Sequence, residues 1–159
     1  MLLTANSAQA YFREALDAAM RASHISVTES AQAYVVYLLN EFSRTEKAFA
    51  GTDYGQKVSM SELLERALLA DSHESLTIFK HLGDTSLYLL GFFRNSRVQR
   101  IVSNSYYRDM GSQAYWHASH LSRVHAAHSS AIFYELSERF SDMVTVVENI
   151  ASYSDSGKF

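Results

Sequence analysis

The sequence predicts an all-α protein, a single-domain helical bundle of five or six helices, on the strength of three observations. The chain of 159 residues contains no proline and only six glycines, where average usage would give roughly eight and eleven. Because these residues interrupt helices and form turns, their scarcity favours long helices over a turn-rich β fold. Hydrophobic residues make up 47% of the chain and charged residues 19%, which is typical of a globular domain with a core. The hydrophobic residues recur at helical spacing along most of the sequence.

The length favours one domain, which we expect over residues 1–152, followed by a frayed C-terminal tail over residues 153–159. Asn6 or Ser7 can cap the first helix. Thr28 is a candidate N-cap for a second helix over residues 28–49. Residues 33–39 of that helix are apolar on every side, which predicts a helix surrounded by others.

A third helix is predicted after the loop at residues 50–56, with Ser59 or Ser61 as its cap. The polar segment at residues 71–75 either ends this helix or bends it.

The helix around which the chain is organised is predicted at Ser75–Phe93. Its leucines and phenylalanines fall on one broad arc, while His81, Asp84 and Tyr88 fall on the opposite, polar side. Gly83 and Gly91 interrupt it, each costing on the order of 1 kcal/mol relative to alanine. The polar trio can form a functional site only if another helix or a second subunit covers it.

Two further helical segments complete the pattern. The first spans about residues 103–123 and carries a strip of small residues, Gly111, Ala114 and Ala118, which would let a neighbouring helix approach closely. The second carries a persistent apolar stripe from Ile132 to Ile150, and the sequence allows either a continuous helix or a break near Phe140–Ser141.

Three stretches of the C-terminal half are HLGDTSLYLLGFF (81–93), SYYRDMGSQAY (105–115) and FYELSERFSDMV (133–144). Together they resemble an uncharacterised family of helical bacterial proteins with no known activity. The resemblance implies a helical fold and a bacterial source, and it transfers no catalytic residue.

Composition excludes several classes of function. The chain has no cysteine, which excludes disulfides, thiolate metal sites and cysteine nucleophiles. Its net charge of −3 argues against nucleic-acid binding, and the three arginines at 94, 97 and 100 are too few to reverse that expectation. No apolar run reaches the ~20 residues of a membrane span, and the N-terminus lacks the pattern of a signal peptide. We therefore expect a cytoplasmic protein.

Polar residues on several helices offer two readings of a site. His117 and His120 are three residues apart, a spacing at which paired imidazoles can bind Zn, Ni or Cu; they can equally be ordinary core and surface histidines. His81, Asp84 and Tyr88 can form an acid/base cluster or a solvated stripe. The chain contains no Glu-x-x-His, the signature of a di-iron bundle. A small ligand or metal held between helices would be lined by Tyr34, Tyr37, Glu41, His81, Asp84, Tyr88, Tyr107 and His117.

Trp116 lies on the polar face of its predicted helix, beside Tyr115. An isolated tryptophan on such a face either packs beneath a loop or forms a contact surface. Because no catalytic signature occurs, we expect a non-enzymatic interaction or regulatory module. We expect it to be homo-oligomeric through Trp116 and Tyr115, with a dimer favoured over larger assemblies. The alternative is a bundle that binds a small ligand or metal, whose cofactor the sequence does not identify.

Overall fold

A computed structural model describes the backbone of residues 5–50, 60–92, 104–124 and 126–155, and the side chains of residues 7–44, 60–92, 105–124 and 126–152. The described residues form seven helices and no strand: α1 (Ala5–Ser23), α2 (Glu29–Ala50), α3 (Met60–Leu69), α4 (Ser72–Phe92), α5 (Asn104–Ser122), α6 (Ala127–Glu138) and α7 (Phe140–Asp155). The all-α class is thus confirmed, while the number of helices exceeds the five or six predicted. Residues 51–56 of the loop expected at residues 50–56 lie outside the described part of the chain. Ser59 and the arginines at 94, 97 and 100 also lie outside it.

The additional helix arises from a break that the sequence left open. Glu138 ends α6, and the Arg139 N–H donates to the Glu135 carbonyl in a last helical turn. The chain then restarts as α7 at Phe140. Phe140 and the valines that follow are buried, so α7 contributes an apolar stripe to the core. α7 extends to Asp155, three residues into the segment expected as a tail, and residues 156–159 lie outside the described part.

α4 lies at the centre of the bundle, packing against α3, α5 and α7 and meeting α2 near its middle. Its two glycines do not interrupt it, contrary to the expectation from propensity. A Cβ on Gly83 would lie 2.7 Å from the Tyr115 ring of α5, and one on Gly91 would overlap Val147 of α7. The glycines therefore let α5 and α7 approach α4 more closely than alanines would allow. Gly111 likewise accommodates the Phe140 ring, so one member of the predicted small-residue strip serves close packing.

α2 packs against α1, α4 and α6 but leaves one stripe of its surface exposed. Thr28 caps it as predicted: its Oγ1 accepts from the Ala31 N–H at 3.3 Å. Thr28 also donates to Glu135 of α6, from both its backbone N–H and its hydroxyl. Ala33 and Tyr37 are exposed, so α2 is not surrounded by other helices as its apolar run predicted.

α5 and α6 form an antiparallel hairpin whose register is fixed by serines. The hydroxyls of Ser112 and Ser137 each donate to the other residue's carbonyl, at 3.0 and 2.8 Å. Seven residues along each helix, the Ser130 hydroxyl donates to the Ser119 carbonyl at 2.7 Å. These small side chains hold the two helices together at both ends of a two-turn interval. Within the described part of the chain, no helix has the length and apolar character needed to cross a membrane.

Candidate functional site

The most unusual polar group in the described structure is the carboxylate of Asp84, at the junction of three helices. The Tyr34 hydroxyl of α2 lies 2.8 Å from Asp84 Oδ1 and 2.9 Å from Oδ2. The Tyr115 hydroxyl of α5 donates to Oδ1 at 2.7 Å. One carboxylate of α4 therefore links α2, α4 and α5, and we call Asp84, Tyr34 and Tyr115 the junction cluster.

Aromatic side chains enclose the junction cluster. Phe133 of α6 packs edge-on to Tyr34 at 5.4 Å and stacks on Tyr115 at 6.0 Å between ring centroids. Phe140 of α7 packs against the other side of Tyr115, also at 6.0 Å. Tyr115 itself can reach Asp84 because Gly83, one residue before the carboxylate, leaves room for its ring. Three stretches that are distant in sequence, 81–93, 105–115 and 133–144, thus meet here, contributing Asp84, Tyr115 and Phe133.

The electrostatics of the junction cluster are those of a buried acid. Burial raises the pKa of Asp84 to about 6, although hydrogen bonds from Tyr115 and Tyr34 and the positive charge of Lys80 favour its ionised form. The pKa values of Tyr34 and Tyr115 are raised by burial and by the negative charge of Asp84, so both phenols stay protonated. Lys80 Nζ lies 5.8 Å from the centre of the Tyr34 ring, within range of a cation–π interaction. This arrangement can hold and release a proton on Asp84.

The predicted polar trio of α4 is not a solvent-facing unit. Asp84 is half-buried, because Tyr34 of α2 and Tyr115 of α5 cover its carboxyl group. Tyr88 is buried, with its ring 4.9 Å from Phe42 and 4.8 Å from Phe92. His81 is half-buried; its Nε2 lies 3.5 Å from the Thr85 hydroxyl, and burial lowers its pKa. Helical angle alone could not foresee which neighbour covers each of these residues.

The other expected ligand-lining residues are spread over the bundle. The Tyr37 ring is 6.3 Å from that of Tyr34, but 53% of the residue is exposed. Glu41 forms an ion pair at 3.5 Å with Arg44, one turn along α2. Tyr107 is buried on α5 against the Tyr106 ring. Of the expected lining set, the structure brings Tyr34 and Asp84 into direct contact.

The two histidines of α5 are engaged in ring contacts. His117 stacks on Phe79 of α4 with 4.5 Å between centroids, and burial together with the charge of His120 lowers the His117 pKa. His120 Nδ1 lies 3.0 Å from the Trp116 carbonyl, and its ring is 3.8 Å from the Trp116 ring. Among the described residues, no group of three or more histidine, aspartate or glutamate side chains is arranged to hold a metal ion.

Trp116 and Tyr115, which the sequence predicted together at an interface, occupy opposite environments. Tyr115 is fully buried in the junction cluster, whereas 43% of Trp116 is exposed. Tyr134 of α6, which the sequence analysis did not single out, is 49% exposed. Because the serine pairs place Ser112 opposite Ser137 and Ser119 opposite Ser130, Trp116 and Tyr134 stand at the same level of the hairpin. The seven-residue spacing of serines in both segments was the signal that could have revealed this register.

Charged residues lie at both ends of the exposed surface of the α5–α6 hairpin that carries Trp116 and Tyr134. Asp109 and Glu138 are exposed at one end, while Arg123 and His128 are exposed at the other. We call this surface the hairpin face and define it by its exposed residues: Asp109, Gln113, Trp116 and Arg123 near α5, and His128, Ala131, Tyr134 and Glu138 on α6.

Comparison of the chain with protein-family models, with curated proteins and with solved structures finds no match.

Proposed function

We propose that this protein is a non-enzymatic helical interaction module that forms a homodimer through the hairpin face. The observation that carries the proposal is the pair of exposed aromatic residues, Trp116 and Tyr134, standing level between an acidic and a basic end. Tyr115 is not part of this interface because it belongs to the core.

The aromatic pair supplies the centre of the proposed interface. Tryptophan and tyrosine are enriched among the residues that dominate binding energy, and such residues cluster near the centre of an interface. Trp116 is held in a defined position by the His120 ring at 3.8 Å and the edge-on His117 ring at 5.1 Å. A side chain that is already ordered loses less conformational entropy when a partner covers it.

The charge pattern supports a second copy of the same chain as the partner. A two-fold axis that lies in the plane of the hairpin face, runs across the helices and passes through the aromatic centre would place the acidic end of one copy over the basic end of the other. Asp109 and Glu138 would then face Arg123 of the partner, and the same contacts would occur twice, as an isologous interface requires. An acidic or basic partner of another kind would be repelled by one of the two ends.

The size of the face sets the expected affinity. Two helices of about 15 residues, rising 1.5 Å per residue and each about 10 Å wide, present a surface of roughly 22 by 20 Å. Counted over both copies, this is roughly 900 Å², below the about 1,200–2,000 Å² buried by stable interfaces and within the range of weak, transient ones. We therefore expect a dimer that dissociates in the micromolar range.

Light scattering coupled to size-exclusion chromatography tests the proposal. Wild-type protein should change from monomer to dimer between about 1 and 100 μM, and Trp116→Ala should weaken the dimer at least tenfold because it removes the central contact. Tyr37→Ala is the matched control, since it removes an exposed aromatic side chain from α2, away from the hairpin face. A wild-type monomer at all concentrations would refute the dimer, and equal effects of both substitutions would exclude this face.

Charge reversal tests the orientation of the two copies. Asp109→Lys with Glu138→Lys makes both ends of the hairpin face basic, whereas Arg123→Glu makes both ends acidic. Each variant alone should self-associate less than wild type, and an equimolar mixture should recover a dimer. A mixture that stays monomeric would contradict the antiparallel pairing of charged ends.

A further inference from the structure

The geometry of the junction cluster fits a protonated as well as an ionised carboxyl group. Tyr34 Oη is nearly equidistant from the two Asp84 oxygens, at 2.8 and 2.9 Å. If Asp84 carries a proton on Oδ2, that proton can be donated to Tyr34 Oη while the Tyr34 hydroxyl donates to Oδ1. Tyr115 also donates to Oδ1, which has two lone pairs. Every hydroxyl hydrogen of the protonated cluster then has an acceptor.

The ionised form of Asp84 has fewer hydrogen-bond donors than its two oxygens can accept from. Without its own proton, Asp84 presents two charged oxygens to two hydroxyl hydrogens, and Tyr34 must share its single hydrogen between Oδ1 and Oδ2. Carboxylates in proteins accept up to about four hydrogen bonds when ionised. An enclosed carboxylate with fewer donors has a strong preference for water.

The groups facing Asp84 offer limited compensation for its charge. On α4 itself, Lys80 is the cation that acts on the carboxylate. α2 contributes the Tyr34 hydroxyl, with the Tyr37 ring behind it, and α5 contributes the Tyr115 hydroxyl. α6 and α7 contribute the Phe133 and Phe140 rings that enclose the tyrosines, and α3 packs at Ser75, more than two helical turns away.

α2 is the helix whose displacement would hydrate the carboxylate. α2 also packs on α1 and α6 and buries Val35, Leu38 and Leu39 in the core. It reaches the junction through Tyr34, which contacts both Asp84 and Phe133. The outward side of α2 is open at Ala33 and Tyr37. By contrast, α5 is held close to α4 by Gly83 and to α6 by both serine pairs.

We propose that Asp84 is a proton-binding switch that sets how firmly α2 is held against α4 and α5. With the proton bound, α2 closes over a neutral, fully hydrogen-bonded cluster. With the proton released, α2 opens more often and lets water reach the carboxylate. The raised pKa of Asp84, about 6, places the change between pH 7.5 and pH 5.

Hydrogen exchange of the α2 backbone amides tests this inference, at a protein concentration where light scattering shows a monomer. Exchange rates are corrected for the intrinsic effect of pH and expressed as protection factors. For a carboxyl group whose pKa falls from about 6 to its ordinary value when α2 opens, protection of α2 should be about tenfold higher at pH 5.0 than at pH 7.5. Asp84→Asn, which is neutral at both pH values, should abolish that difference, while Glu65→Gln on exposed α3 should retain it.

Three results would overturn the inference: no rise in α2 protection at pH 5.0, the same rise in Asp84→Asn, or an equal rise in every helix. Difference infrared spectroscopy between the two pH values provides a measurement that does not depend on α2. Wild-type protein should gain the carbonyl band of a protonated, enclosed carboxyl group that Asp84→Asn lacks. Absence of that band would show that Asp84 stays ionised and would equally overturn the proposal.

Discussion

Replacing Gly83 by alanine should favour the helical conformation of α4 but create a steric clash with Tyr115 of α5. In an isolated helix, alanine is more favourable than glycine by about 1 kcal/mol. In the bundle, the new Cβ would lie 2.7 Å from Cδ1 and Cε1 of Tyr115 and 2.9 Å from Cζ. The clash is with a rigid ring that Phe133 and Phe140 enclose, so the ring has little room to withdraw.

The size of the effect follows from two costs and one gain. Overpacking costs about 1–3 kcal/mol. If the ring shifts instead, Tyr115 loses its 2.7 Å hydrogen bond to Asp84, and a hydrogen bond to a charged group contributes about 1.5–3 kcal/mol. Because the two costs are alternatives, subtracting the gain in propensity leaves an expected fall in the free energy of unfolding of about 0.5–2 kcal/mol for Gly83→Ala, a measurable part of the 5–15 kcal/mol typical of a domain.

Urea denaturation followed by circular dichroism measures this change. Ser86→Ala is the matched control on the same helix: it removes a buried hydroxyl that has no hydrogen-bond partner, so it should leave stability unchanged or raise it. In a Tyr115→Leu background the aromatic ring is gone, and Gly83→Ala should no longer be costly, whereas Tyr115→Phe should not relieve the clash. A Gly83→Ala variant as stable as wild type would refute the proposed role of this glycine.

Two further predictions concern the cap of α2 and the stacked histidine of α5. Thr28→Ala removes the cap of α2 together with the hydroxyl donor to Glu135. It should lower the free energy of unfolding by about 1 kcal/mol in the same denaturation assay. Thr28→Ser retains the hydroxyl, so its effect on the free energy of unfolding should be less than half as large. The pKa of His117 is lowered in the folded state, so as the pH falls this imidazole becomes protonated in the unfolded chain before it does in the folded protein. Protonation therefore favours unfolding, and the stability that neutral His117 contributes is lost as the pH falls below about 6.5. His117→Gln should therefore raise the stability at pH 5.5 relative to that at pH 7.5 when compared with wild type, with His128→Gln as the control at an exposed position; an unchanged profile would contradict this assignment.

Several features of this protein follow from the sequence alone. The absence of proline and the helical spacing of apolar residues determine an all-α fold, because nothing in the chain interrupts backbone hydrogen bonding within long segments. The Thr28 cap and the break near Phe140 were also local signals, since both arise from residues within one turn of the helix end. The stretch centred on α4 was recognisable as central because its apolar arc is too broad for a peripheral helix.

Other features were decided by tertiary structure. The glycines of α4 looked like interruptions, since their contribution depends on Tyr115 and Val147, which are distant in sequence. Asp84 fell on a polar stripe by helical angle, and only the approach of α2 and α5 converts that exposed position into an enclosed one. The environment of Trp116 was predictable from its own helix, but its neighbour Tyr115 points inward and its level partner is Tyr134, because the serine pairs fix the register of α5 and α6. Helical periodicity therefore determined which residues are helical and apolar, while the pairing of helices determined which polar groups are buried together.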